Sequence, residues 1–543
     1  MWHKRVLFPE MNYKYFAALL FVLILAGCAK RGNISGGLKD TIAPVLKMSF
    51  PKNYSTGFNE KEIRLVFDEY VKLKDISKQL IVSPPMKKAP DISPQTASKT
   101  ITIRINDTLQ PNTTYSFNFG QSIEDNNEQN PYPQFKYVFS TGSYIDSLKL
   151  NGSIKDAYNL EADSFVSVML YEANETFNDS VIYKENPRYI TNTLDSLKTF
   201  QLENLKAGRY MLVALKDFSS NNKFDPKADK IGFHKEFITI PNDTLYEVEL
   251  FKEETQFKVV KPKLAPGNKL LMGYEGNPKD IKTILKNGND IIPSVVTKVP
   301  ASDSVHVWYK PVKADSLQLN VTREKYTQDF TVKIKEQKKD TLGFSTRQAG
   351  QLPLREKFTL KSSRPLVKFD NSLMKLTNKD SAAVAFTTEY DEFEMQLKFD
   401  FAKEPVEKYR LEILPGALTD FFEETNDTLV YKFSTKNTSD YGNLRLTLQN
   451  IRRFPVIIEL ANVKGETVAT EYSNQAQQNG ATIDFNALEP ALYTLRVIYD
   501  DNGNKVWDTG SFLEKRQTEE VLYFSGKIDV RANWDVDQVF SLP

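Results

Sequence analysis

The chain has 543 residues, with 71 Lys and Arg against 70 Asp and Glu. It is too long for one core and implies several domains of ~100–150 residues; its near-neutral charge argues against a nucleic-acid binder, which carries a strong basic excess. A single cysteine, Cys28, and three histidines, His3, His234 and His306, exclude an intrachain disulfide and a Cys-rich zinc site and leave few candidates for His-based catalysis. Tyr and Phe are plentiful, at 25 and 35 copies, and the apolar runs are short, which suits strands better than long helices. The predicted fold class is therefore all-β, as tandem β-sandwich domains behind a signal peptide.

Residues 11–28 read MNYKYFAALLFVLILAGC, a basic flank at Lys14 and then an apolar stretch from Phe16 to Leu25. That stretch is too short for a span, which needs about 20 helical residues, and fits a secretory h-region starting from Met1 or Met11. Its end, Leu25-Ala26-Gly27-Cys28, resembles a bacterial lipobox. The resemblance implies cleavage ahead of Cys28, a diacylglycerol on its thiol and acylation of the new amino terminus, and two or more acyl chains anchor stably where one does not. The other reading is a plain signal peptide with an incidental cysteine; the position of the lone cysteine favours lipidation. Residues 29–43 are polar and Gly-containing, as a tether is. In some Bacteroidetes-like lipoproteins an acidic run here accompanies export to the cell surface. This segment opens with Lys30 and Arg31 and has no acidic cluster, which favours the periplasmic face of the outer membrane.

From 44 to 143 the strands expected are Ile63–Phe67, Thr100–Ile105, Thr114–Phe119 and Lys136–Ser140, separated by turn signals such as Pro84-Pro85 and Asn112. Phe67-Asp68-Glu69-Tyr70-Val71, then Leu109, Pro111, Thr113 and Tyr115, then Asp125-Asn126 and Phe139-Ser140-Thr141 resemble the SbsA-type bacterial Ig-like domain, which implies a sandwich. The region 145–252 holds a hydrophobic strand ending in an oxygen-rich loop, LKAGRYMLVALKDFSSNNKFD from Leu205 to Asp225. Leu205, Gly208 and Tyr210 form a Leu-x-x-Gly-x-Tyr turn that resembles prealbumin-like modules of carboxypeptidase regulatory regions, which serve as spacers or binding modules. Residues 254–345 are expected to form a third β-domain, with strands at Lys269–Tyr274, Val305–Tyr309, Ser316–Val321 and Phe330–Ile334.

The rest of the chain repeats these two patterns. In 350–438, Tyr409, Leu411, Tyr431, Phe433, Ser434 and Thr435 match Tyr115, Phe117, Tyr137, Phe139, Ser140 and Thr141 at a constant offset. In 440–543, Leu488, Tyr493, Leu495, Asp500, Asn504 and Asp508 match Leu205, Tyr210, Leu212, Asp217, Asn221 and Asp225. The stretch 530–539 reads as one closing strand. Asp-(Ser/Thr)-Leu recurs at Asp107, Asp146, Asp195, Asp243, Asp315, Asp340 and Asp427, as a turn residue before the first inward strand residue would.

Candidate chemistry centres on the repeated loop. Asp217, Ser219, Asn221 and Asp225, with Asp229 nearby, and Asp500, Asn502, Asn504 and Asp508 place oxygen-bearing side chains at alternating positions. Such a series suits structural Ca²⁺, which takes six to eight oxygens, or a turn whose Asx side chains cap their own backbone. Neither copy has the EF-hand Glu at the twelfth position, and no other cofactor is implied. His234 and His306 read as surface strand residues, and Trp308, Tyr309, Trp507 and Trp534 as core rather than sugar-stacking aromatics. Neither Asp68 with Glu69 nor Asp500 with Asp501 can converge on one substrate, since strand neighbours face opposite ways. The expected function is a non-catalytic envelope scaffold or adhesion protein that contacts the membrane through its lipid and envelope proteins or glycans through its domains. The alternatives are a carbohydrate- or peptide-capturing accessory lipoprotein and a hydrolase with its site in 254–345.

Overall fold

The computed structural model describes residues 40–193, 198–338, 340–348, 350–474 and 480–543. The lipobox residues Leu25, Ala26 and Gly27, with Cys28, lie outside them, as does Asp195. Among the described residues, five successive stretches, modules one to five, each fold as facing β-sheets over a shared apolar core, module four with an added two-stranded sheet of Leu366–Phe369 and Leu418–Asp420.

In module one, Leu46–Phe50, Glu62–Leu73, Ser98–Arg104 and Asp91–Ser93 form one sheet in that order, and Ile81–Ser83, Thr114–Asn118 and Lys136–Ser140 the other. Inward residues alternate along each strand: Ile63, Leu65 and Phe67 meet Tyr115, Phe117, Tyr137 and Phe139 across the core. Module four (strands from Phe344 to Ser434) packs Phe358, Leu360 and Phe399 against Leu376, Tyr409, Leu411 and Phe433. The repeat between these modules extends to hydrogen bonds. The Tyr115 hydroxyl accepts from the Gln110 amide at 2.9 Å, and that of Tyr409 from the Glu404 amide at 2.8 Å. Thr141 Oγ1 accepts from Thr113 N and donates to Gln110 O; Thr435 Oγ1 accepts from Glu407 N and donates to Glu404 O.

Modules two and five share one topology. In module two, Leu148–Asp156 pairs antiparallel with Thr199–Leu205 and parallel with Leu245–Leu250. In module five, Gly442–Gln449 pairs antiparallel with Ala481–Leu488 and parallel with Asp535–Ser541. The facing sheets are centred on Gly208–Lys216 and Ala491–Tyr499. Tyr210 and Tyr493 each donate a hydroxyl back to a carbonyl four residues upstream, Lys206 and Glu489. Module three packs Leu270, Met272, Val305 and Val307 against Leu285, Leu317, Leu319 and Val321.

Three expectations need correction. The stretch 530–539 is not one strand: Ile528–Val530 ends, 531–534 turns, and Asp535–Ser541 begins, which leaves Trp534 in the turn, 52% exposed rather than in the core. The Leu after Asp-(Ser/Thr) is not uniformly inward, because Leu245 opens its strand 77% exposed. His306 is half-buried rather than a surface residue: its strand Ser304–Tyr309 lies between Lys269–Glu275 and Ser294–Lys298.

The array folds back on itself. Module one meets module two where Ile190 N donates to Ser83 Oγ at 3.1 Å, and Lys227 of module two pairs with Glu275 of module three at 2.9 Å. Trp308 of module three, 1% exposed, packs with Met395, Phe421 and Phe422 of module four. Arg355 of module four reaches Asn486 O and Glu471 of module five. Module five then returns to module two, so modules two to five make a closed circuit of contacts.

Candidate functional site

The strand Gly208–Lys216 runs straight into the first oxygen-rich loop. Asp217 accepts backbone N–H bonds from Ser219 (2.9 Å) and Asn222 (2.6 Å). Asn221 Oδ1 accepts from Lys223 N, and Asp225 Oδ1 from Lys227 N. Asp229, fully buried, closes the loop by accepting from Phe218 N and Asp225 N, both at 2.9 Å. The second copy repeats this build. Asp500, also buried, accepts from Asn504 N (3.1 Å) and Lys505 N (2.9 Å), and Asn504 Oδ1 from Val506 N. Asn502 and Asn504 turn their amide nitrogens toward Asp508 Oδ2, at 2.6 and 2.8 Å. In both copies the carboxylates answer orphan backbone donors. Asn502 and Asn504 accept from Asn504 N and Val506 N and donate to Asp508, the bonding of a hydrogen-bonded turn.

The part of Asp229 passes to a residue that the repeat in the sequence does not reveal. Glu519 accepts from Asp501 N (2.7 Å) and Asp508 N (3.0 Å), the amides equivalent to those of Phe218 and Asp225. Burial raises the Glu519 carboxyl above its ordinary 4.5. Before the loop the copies are offset by 283 positions, Val213 matching Arg496; after it by 290, Phe233 matching Tyr523. Module five therefore carries seven extra residues between Asp508 and Glu519, and that change of offset is the only sequence signal for Glu519.

The insertion docks on module two. Phe512, fully buried, enters the apolar layer on the outer face of the module-two sheet, with its ring edge-on to Phe233 at 5.2 Å and among Val213, Ile231 and Phe251. The Phe512 amide donates to the Glu253 carboxylate, Thr509 Oγ1 to Lys252 O at 2.6 Å, and Gln517 Nε2 to Phe233 O at 3.0 Å. Lys515 pairs with Asp179 at 2.5 Å. A Cβ on Gly510 would lie 2.5 Å from Phe251 Cζ, so only glycine fits there.

Contact runs in the other direction too. Tyr158 of module two lies over the buried Arg496 guanidinium at 4.0 Å and meets Trp507 at a tilt of 40°, with ring centroids 4.7 Å apart. Arg496 bonds Glu459 at 2.6 Å and the Tyr158 hydroxyl at 2.5 Å, and the Tyr523 hydroxyl donates to Tyr158 O. In module two the matching cross-strand pair is Val213 and Met169. An apolar pair in one copy has thus become a buried ion pair in the other, covered by the first copy's tyrosine.

The remaining candidates are scattered. His234 Nδ1 lies 2.8 Å from Glu236 O, far in sequence from His306, whose imidazole is held down to about 4 by burial and by Lys269. Asp68 accepts from Val45 N, and Asp501 pairs with Arg453 rather than with Asp500. Trp308 and Tyr309 are buried, as expected of core aromatics. A groove of about 680 Å³ between modules three and four is lined by Lys279, Asp280 and Lys282 on one side and by Asp391, Glu392 and Glu394 on the other, among others. Among the described residues no group of three or more His, Cys, Asp or Glu side chains is placed to hold a metal.

Residues 40–141 match the bacterial Ig-like domain family. This stretch is module one, henceforth the Ig-like module. A comparison with curated proteins gave no match. Among solved structures, surface layer protein SbsC, domains 1–6, is 10% identical, with 90% of this chain and 67% of that one covered and a TM-score of 0.16. BcpA, the major pilin subunit of Bacillus cereus, is 10% identical over 73% of this chain and 99% of that one, with a TM-score of 0.14. The insect immune protein hemolin is 9% identical over 73% of this chain and all of that one, at 0.18. At such identities and TM-scores, arrangement and function have to be argued from the chain's own residues.

Proposed function

We propose that this is a lipid-anchored, non-catalytic scaffold of the cell envelope, tied through acylated Cys28 to the periplasmic face of the outer membrane and presenting its β-modules to envelope proteins or glycans. The observation that carries this reading is the docking of module five on module two. A seven-residue insertion, a buried aromatic and a covered ion pair all hold modules together. Such contacts make a stiff body from parts that would otherwise swing on linkers. The lipobox supplies the anchor, and the match of residues 40–141 to the Ig-like family suits a structural or adhesive part.

The anchor is tested by blocking the lipoprotein signal peptidase in cells. An unprocessed precursor should accumulate, and mass spectrometry of the mature amino-terminal peptide should show acyl groups on Cys28. Normal processing under the block would overturn the reading. Chemical crosslinking of intact envelopes should then join the chain to envelope components, whereas a chain that crosslinks to none would speak against a scaffold.

A further inference from the structure

The first strand of the Ig-like module carries apolar side chains on its outward face as well as Leu46 on its inward one. Leu46–Phe50 is the edge strand of its sheet. Leu46 pairs opposite Phe67 and packs against the core. Asp68 N donates to Val45 O and Val45 N to the Asp68 carboxylate, Met48 lies opposite Val66, and Phe50 opposite Arg64. Asp68, Val66 and Arg64 alternate with the buried Leu65 and Phe67, so Val45, Met48 and Phe50 share the outward face. They are 46%, 51% and 59% exposed. A strand with one solvated face ordinarily places polar residues there. Lys47 and Arg64 border the patch, but Asp68 and Glu62 pair with them, so what this face offers is apolar surface rather than net charge.

Module four is the internal control. Its edge strand Phe344–Thr346 pairs with Phe358–Ser362, with Phe344 opposite Ser362 and Ser345 opposite Lys361. Phe344 packs on the core as Leu46 does, so Ser345 and Lys361 hold the places of Met48 and Val66. The same sheet position is polar in the copy far from the amino terminus and apolar in the copy beside it. Cys28 precedes Val45 by 17 residues, and that much chain spans at most about 60 Å.

We infer that the outward face of Val45, Met48 and Phe50 seats the Ig-like module on the bilayer that holds the acyl chains. This rests on the lipid-anchor reading. Apolar side chains that dip into the headgroup boundary add affinity in proportion to the area they bury. An anchored chain keeps that face within tether reach of the surface, which raises its effective concentration there, so even a small patch fixes orientation.

The test uses full-length protein purified from membranes and reconstituted into phosphatidylcholine–phosphatidylglycerol vesicles. Acylation occupies Cys28, so Met48→Cys and Ser345→Cys each offer one thiol for an environment-sensitive dye. The dye at position 48 should be blue-shifted and quenched by aqueous iodide at least about threefold less than at 345. Adding Phe50→Asp should erase that difference while the chain still pellets with vesicles. An acylated, pelleting chain quenched equally at both positions would overturn the inference. So would protection at 48 in native envelopes but not on protein-free vesicles, which would assign the face to a protein partner. A wild-type chain that labels at Cys28 and stays in the supernatant would instead sink the anchor reading, and the two failures are told apart by that thiol.

Discussion

Phe512 belongs by sequence to module five and by packing to module two. Truncating a fully buried Phe costs ~3–5 kcal/mol, because transfer energy is lost and a cavity is left. Phe512→Ala should therefore lower the melting temperature of the module-two transition in calorimetry; a loss confined to module five would contradict the docking described. His306 makes a second residue-scale prediction. Burial, then the nearby Lys269 ammonium, holds its imidazole down to about 4 from the usual 6.5. The folded chain then takes up the proton less readily than the unfolded one. Its contribution is complete above pH 6.5 and is lost as pH falls from 6.5 to 4. The melting temperature should drop across that window, and His306→Phe should flatten that part of the profile.

At the scale of elements, the oxygen-rich loops behave as turns that end one strand and set the direction of the next segment. Each is pinned by two carboxylates on backbone amides, Asp217 with Asp229 and Asp500 with Glu519. Glu519→Ala leaves the Asp501 and Asp508 amides without their acceptor and should destabilise the loop by about 1 kcal/mol per lost hydrogen bond. Because these side chains are already engaged by the backbone, added Ca²⁺ should give neither binding heat nor a rise in melting temperature. A clear rise abolished by Asp500→Ala would restore the metal reading. Gly510→Ala should undock the insertion, since the new methyl meets Phe251 Cζ; the expected readout is new cleavage by trypsin at Lys515 or Arg516, with module five still folded.

For the whole molecule, each junction carries a Lys–carboxylate pair. Lys136–Glu203, Lys227–Glu275, Lys298–Glu394 and Lys436–Glu489 join successive modules, and Lys515–Asp179 joins the fifth to the second. Zero-length carbodiimide coupling should therefore yield the Lys515–Asp179 crosslink between modules far apart in sequence, and X-ray scattering should give the dimensions of a folded-back body. An extended rod without that crosslink would refute the arrangement. Limited proteolysis near 144, 253, 347 and 439 tests where the modules divide.

The repeats were legible because they are written in core residues. Leu205, Tyr210 and Leu212 recur as Leu488, Tyr493 and Leu495 since the same inward positions of the same strand need filling, and Tyr115 and Thr141 recur as Tyr409 and Thr435 because one corner needs the same hydrogen bonds. Strand periodicity and turn chemistry are local, so the all-β class is readable from the sequence. What covers the outer face of a sheet is not local. Glu519 replaces Asp229 across an insertion, Phe512 completes another module's apolar layer, and Tyr158 covers Arg496 from more than 300 positions away. No period in the sequence encodes those meetings. They arise when two modules, alike in topology and different in their outward side chains, come into contact, and only the tertiary structure decides that.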